Sequence, residues 1–127
     1  MAMPIPPRHL LVVEDDADQC RVLQDRLQLY GYTVHYVQDG RTAMYALESG
    51  SFDGLVLDLN LPILNGNEVL AQARQKFPDL PVLIMSVSQS RIRAAEASQA
   101  KACGYLLKPF NTADFKSALH GCFGLAS

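Results

Sequence analysis

The amino-acid sequence predicts an α/β fold, a doubly wound five-stranded parallel sheet with helices on both faces. Three observations predict it. Short apolar runs alternate with amphipathic stretches along the 127 residues. The runs are nearly unbroken in Leu, Val and Ile, as strands covered on both faces require. Gly, Pro and Asp punctuate the changes from one to the other. Five strands suit the order 2-1-3-4-5 better than a closed barrel, which needs more of them.

Each element has its own warrant. His9 to Val13 is a short apolar run and the first strand. Asp16 to Tyr30 carries Cys20, Leu23, Leu27 and Tyr30 at helical spacing, and Gly31 stops it. Thr33 to Val37 is β-branched and aromatic, a second strand. Asp39-Gly40 opens a helix with Ala43, Ala46 and Leu47, closed by Gly50. Gly54 to Asp58 is the third strand, and Asn67 to Phe77 the next helix, with Val69, Leu70 and Ala73 inward. Pro78 and Pro81 bracket the loop before the fourth strand, Val82 to Ser86. Arg91 to Ala102 is rich in alanine and helical. Its inner face would be Ile92, Ala95, Gln99 and Ala102, too small to pack firmly. Tyr105 to Leu107 is a brief fifth strand cut off by Pro109, and Thr112 to about Cys122 is the last helix.

Residues 1–7 read as an extended lead, because Pro6-Pro7 disfavours helix and strand pairing. Residues 8–125 are expected to form one domain, with no linker, repeat or room for a second. Hydrophobic residues make up 49% of the chain, enough for one packed core at this length. A net charge of −2 leaves no basic surplus for direct nucleic-acid binding. No apolar run nears the roughly 20 residues of a membrane span, and no secretory leader pattern begins the chain. Cys20, Cys103 and Cys122 are odd in number and lack ligand spacing. They read as small apolar residues in a reducing cytoplasm.

In such a sheet ligands bind beyond the carboxyl ends of the strands. The first strand delivers Glu14, Asp15 and Asp16 there, the third Asp58, the fourth Ser86 and the fifth Lys108. Taken singly, each has a plain reading. Asp16 caps a helix, Asp58 and Ser86 turn the chain, and Lys108 is a solvated lysine. Glu14 and Asp15 come too early to be caps alone. Taken together they are a site. Clustered carboxylates raise one another's pKa unless a cation intervenes. Hard oxygen ligands on a shallow site suit Mg²⁺ shared with phosphate. A lysine opposite and a hydroxyl beside it complete a cradle for a phosphoryl group, with Asp58 as nucleophile.

These residues resemble the receiver domains of bacterial two-component response regulators, a flavodoxin-like fold. The resemblance runs from about Arg8 to Phe123. It rests on Leu-Val-Val-Glu14-Asp15-Asp16, on Asp58-Leu-Asn60-Leu-Pro62 with Gly66, on Ile-Met-Ser86, and on Gly104-Tyr105-Leu-Leu-Lys108-Pro109-Phe110. It implies that Glu14, Asp15, Asp58 and the backbone carbonyl of Asn60 hold Mg²⁺. Asp58 accepts the phosphoryl group, Ser86 and Lys108 bind its oxygens, and Lys108–Pro109 is cis. Tyr105 is the aromatic switch that turns inward as Ser86 moves. The donor implied is a sensor histidine kinase or histidine phosphotransfer protein. The output implied is a downstream protein or domain reading the surface of the fourth helix, fifth strand and fifth helix. Such a protein is a cytoplasmic regulator rather than an enzyme, though it catalyses its own phosphoryl transfer and its own dephosphorylation.

Two departures stand out. Glu14 takes a place where many members have Asp. Val87 follows Ser86 where a smaller residue is usual, which predicts slowed phosphorylation or a partly biased switch. The competing function is a phosphorylation-independent interaction module on the same fold. A dehalogenase-like phosphatase would carry its nucleophile on the first strand. A flavin carrier would want a Ser/Thr/Gly-rich phosphate loop where the acidic run stands.

Overall fold

The computed structural model describes residues 8–61, 65–98 and 100–124. The expected lead at 1–7, Pro62 and the inward Gln99 lie outside them. The elements are β1 (His9–Val13), α1 (Ala17–Leu29), β2 (Thr33–Val37), α2 (Gly40–Ser49) and β3 (Gly54–Asp58), followed by α3 (Gly66–Lys76), β4 (Val82–Ser86), α4 (Gln89–Ala97), β5 (Gly104–Leu107) and α5 (Thr112–Phe123). All strand pairs are parallel, in the order β2-β1-β3-β4-β5.

The period-2 alternation of a strand divides the core between two faces. Leu11, Val13, Leu55, Leu57, Val82 and Ile84 pack against α2, α3 and α4 through Leu47, Val69, Leu70 and Ala95. Leu10, Val12, Val56, Leu83 and Met85 face the other way, onto Leu23 and Leu27 of α1 and Phe115 and Leu119 of α5. Each such buried Leu or Ile contributes about 1.5–3 kcal/mol. Because β1, β3 and β4 bury both faces, their apolar runs are continuous.

Helix starts are set by side-chain caps. Asp16 Oδ1 accepts from the amides of Asp18 and Gln19. Asp39, Asn65, Ser88 and Asn111 cap the other four helices in the same way. Gly31 follows α1 at φ 95°, the left-handed geometry that ends a helix.

Three expectations need correction. Helix α4 starts at Gln89 and stops at Ala97, so Ala102 does not belong to it. The reason is local. Ser88 caps the earlier start, and the Ser98 hydroxyl donates to Ala95 O at 2.7 Å, satisfying an end carbonyl outside the helical pattern. Helix α3 starts one residue earlier, because Asn65 rather than a later residue accepts the Glu68 amide. The cysteines are not all free. Cys103, ahead of β5, and Cys122, in the last turn of α5, form a disulfide with Cα atoms 5.3 Å apart. Only Cys20 is a free, buried thiol.

Two predictions follow from the packing. Helix α4 buries only Ile92 and Ala95, so its amides should exchange faster than those of α1, α2, α3 and α5. Slower exchange in α4 than in the others would contradict this. The disulfide closes a loop across a sequence separation of 19. Closing a loop near that length is worth about 3 kcal/mol. Reduction should therefore lower Tm by on the order of 10 °C. Thiol titration of the unfolded, unreduced chain should find Cys20 alone. An unchanged Tm, or a thiol reacting at Cys103 or Cys122, would contradict the pairing.

Candidate functional site

Strand register brings the site residues together. Val13 is paired with Leu57, so Glu14 leaves β1 at the level where Asp58 ends β3. Ser86 is paired with Leu107, so Lys108 follows directly beside it. Backbone hydrogen bonds continue past the strand ends. Glu14 N–H donates to Val37 O at 3.1 Å, Leu59 N–H to Met85 O at 2.9 Å, and Lys108 N–H to Ser86 O at 2.8 Å. The Lys108–Pro109 bond is cis. Helix α3 begins hard against this edge. A Cβ on Gly66 would lie 2.3 Å from Leu59 Cα and 2.7 Å from Asp58 O, so only glycine allows the approach.

The charges are arranged around one ammonium. Lys108 Nζ donates to Glu14 Oε2 at 2.6 Å and to Asp58 Oδ2 at 2.9 Å. Glu14 and Asp58 are 2% and 3% exposed, which leaves water little part in their solvation. Asp15 is exposed beside them, and carboxylate oxygens of Glu14, Asp15 and Asp58 all lie within 4.8 Å of one another. Two buried acids thus share one base, with a third carboxylate beside them. Burial first, and then the neighbouring Asp58, push the Glu14 carboxyl up to about 7, with Lys108 pulling the other way. Burial alone would lower the Lys108 pKa. Its hydrogen bonds to Glu14 and Asp58 outweigh that and hold it above the ordinary lysine value.

The second Asp58 oxygen, Oδ1, accepts the Asn60 amide at 2.8 Å. Ser86 is fully buried, and its hydroxyl donates to Asn60 Oδ1 at 2.8 Å. Asp58, Asn60 and Lys108 line a cleft of about 680 Å³ whose lining is partly apolar, from Val22, Met85, Val87 and Phe110. Val87 is 65% exposed there, at the mouth rather than in the core. Glu14, Asp15, Asp58, Asn60 and Lys108 therefore share one cleft, with Ser86 hydrogen-bonded to Asn60 at its edge. Tyr105 stands apart, half-buried against the core under α2, α3 and α4. The resemblance implies a backbone carbonyl role for Asn60; its side chain is also engaged, with Ser86. It also gave no sign that Arg91 reaches from α4 to Leu59 O at 3.3 Å. Neither contact has a spacing signature, because each depends on loop geometry rather than on element period.

Oxygen donors are gathered at strand ends of a doubly wound sheet, with a lysine bridging two of them. A family model of the response regulator receiver domain matches residues 10–120. The chain belongs to that family. It is 40% identical over 110 residues to the transcriptional regulatory protein QseB of Haemophilus influenzae, covering 87% of this chain but 50% of that protein. It is 34% identical over 117 residues to the chemotaxis protein CheY of Pseudomonas aeruginosa, covering 90% of this chain and 94% of that protein. Among solved structures, the response regulator TrrA of Thermotoga maritima, crystallised with Mg²⁺ and BeF, superposes with a TM-score of 0.80. It is 28% identical and covers 88% of this chain and 96% of that one. The chain thus spans half of one curated relative and nearly all of another. Among the described residues, no helix is long and apolar enough to cross a membrane.

The Glu14 environment has a consequence for stability. In the folded chain its carboxyl titrates at about 7, against an ordinary 4.5. Between those values the folded state binds more protons than the unfolded state, so stability falls as pH rises through them. In Mg²⁺-free buffer, Glu14→Gln should flatten that fall in denaturant unfolding measured across the same range. Parallel wild-type and variant profiles would contradict the assignment.

Proposed function

We propose that this chain is a phosphorylation-activated signalling switch that accepts a phosphoryl group on Asp58. The observation that carries the reading is the cluster of Glu14, Asp15 and Asp58 oxygens within 4.8 Å, two of them bound to Lys108. Such a cluster is costly without a cation and matches a hard divalent ion in donor type. Glu14, Asp15, Asp58 and the Asn60 carbonyl would hold Mg²⁺. When bound, Mg²⁺ supplies charge neutralisation for the carboxylates and the phosphoryl oxygens.

The side chains divide the remaining work. An Asp58 carboxylate oxygen attacks phosphorus, forming a P–O bond as the bond to the donor nitrogen of a phosphohistidine breaks. Lys108 keeps its ammonium on the phosphoryl oxygens in place of one of its present carboxylate partners. The Ser86 hydroxyl donates a hydrogen bond to another phosphoryl oxygen. The donor is a sensor histidine kinase or a histidine phosphotransfer protein. The output surface is α4, β5 and α5, where Tyr105 turns inward as Ser86 shifts and weakly packed α4 yields. In this role the chain works in the cytoplasm. It is a regulator that promotes its own phosphorylation, not an enzyme acting on a metabolite.

Beryllofluoride with Mg²⁺, a stand-in for the phosphoryl group, tests this. The wild type should bind it only in the presence of Mg²⁺, and Asp58→Ala should lose binding. No adduct on the wild type would favour a phosphorylation-independent interaction module instead. With acetyl phosphate as donor, Val87→Ala should be modified faster than the wild type, because Val87 narrows the mouth of the cleft. Equal rates would remove Val87 from the account.

A further inference from the structure

The Ser86 hydroxyl has one proton, and that proton is already committed. It is donated to Asn60 Oδ1 at 2.8 Å. The same Asn60 oxygen accepts the Val87 amide at 3.2 Å, so both of its lone pairs are used. Ser86 Oγ in turn accepts the Ser88 amide at 3.0 Å. Ser88 is the N-cap of α4, and its own hydroxyl oxygen accepts the Arg91 amide at 3.3 Å. Asn60 also donates its backbone amide to Asp58 Oδ1. An unbroken chain of hydrogen bonds therefore runs from Asp58 through Asn60, Ser86 and Ser88 into the first turn of α4. Arg91 closes it by donating to Leu59 O, next to Asp58.

We propose that the Asn60 side chain is a latch, a positioning residue that holds the Ser86 hydroxyl in its unphosphorylated place and thereby holds the start of α4. Ser86 is fully buried, so water cannot replace Asn60 as the acceptor. For the Ser86 hydroxyl to donate a hydrogen bond to a phosphoryl oxygen, it must leave Asn60. On leaving, it withdraws the acceptor of the Ser88 amide and loosens the cap of a helix that buries little else. The link to phosphorylation rests on the phosphoacceptor reading of Asp58. The latch itself is a property of the unmodified chain and is tested without phosphate.

The experiment has two arms, run on the full chain as wild type, Asn60→Ala, Asn60→Asp, Ser86→Ala and the Asn60→Ala/Ser86→Ala double variant. In Mg²⁺-free buffer, Asn60→Ala should speed hydrogen exchange of the Ser88 amide and the first turn of α4 by about fivefold, the loss of one ordinary hydrogen bond. Asn60→Asp, which keeps an acceptor oxygen, should stay near the wild-type rate. In the second arm, with Mg²⁺ and beryllofluoride, Asn60→Ala should tighten beryllofluoride binding by a similar factor where Ser86 is present. It should change nothing in the Ser86→Ala background. Unchanged exchange in Asn60→Ala would overturn the latch. Faster exchange with unchanged beryllofluoride affinity, or an equal effect in both backgrounds, would overturn its coupling to Ser86. If even the wild type fails to bind beryllofluoride, the phosphoacceptor reading fails, and the exchange arm still decides the latch.

Discussion

The structure turns on Lys108, whose ammonium sits between the carboxylates of Glu14 and Asp58. Two acids so nearly excluded from water would each carry a desolvation cost of several kcal/mol and would repel one another. One lysine supplies the opposing charge to both. That arrangement dictates much of the rest. It needs the ends of β1, β3 and β5 on one edge, with β4 between the last two, which the order β2-β1-β3-β4-β5 provides. It needs α3 to begin hard against the Asp58 backbone, which Gly66 permits. Even so, charge balance is incomplete. Asp15 adds a third carboxylate within 4.8 Å of the other two. That crowding of carboxylates is why a hard divalent cation is the group proposed for the site.

The strands could be read almost residue for residue. β1, β2, β3 and β4 have the limits their apolar or β-branched runs predict, and β5 adds only Gly104. A buried run has sharp ends because the next polar residue leaves the sheet. The helices were harder to delimit, since their ends depend on which side chain accepts a particular amide. Helix α4 shows this most clearly: two serines, Ser88 and Ser98, move both of its ends. That Glu14, Asp58, Ser86 and Lys108 would come together was readable because strand-end position follows from sequence order. Side-chain engagement was not. Nothing in spacing says that Asn60 faces Ser86, or that Arg74 ties the α3–β4 loop through Pro78 O and Leu80 O and reaches Lys101 O ahead of β5. The Cys103–Cys122 pairing was hidden for the same reason, because it needs the packing of α5 on β5.

Stability is distributed to match the proposed work. The central strands are buried on both faces, and α1, α3 and α5 present large apolar side chains to them. Helix α4 does not, and it lies at the end of the hydrogen-bond chain that begins at Asp58. The sheet therefore carries a charged edge from which one chain of hydrogen bonds leads to α4, the helix that buries the fewest residues among those described. Membership of the receiver domain family fits this division, while the donor and the output partner are read by surfaces that the fold presents but does not identify.

The most direct test of the central claim is a calorimetric titration of Mg²⁺ into the wild type and into Lys108→Met. If Lys108 acts as the internal counter-ion of a divalent-cation site, the wild type binds Mg²⁺ and the variant, having lost the competing ammonium, binds it more tightly. No binding by the wild type, or equal or weaker binding by the variant, would contradict that account.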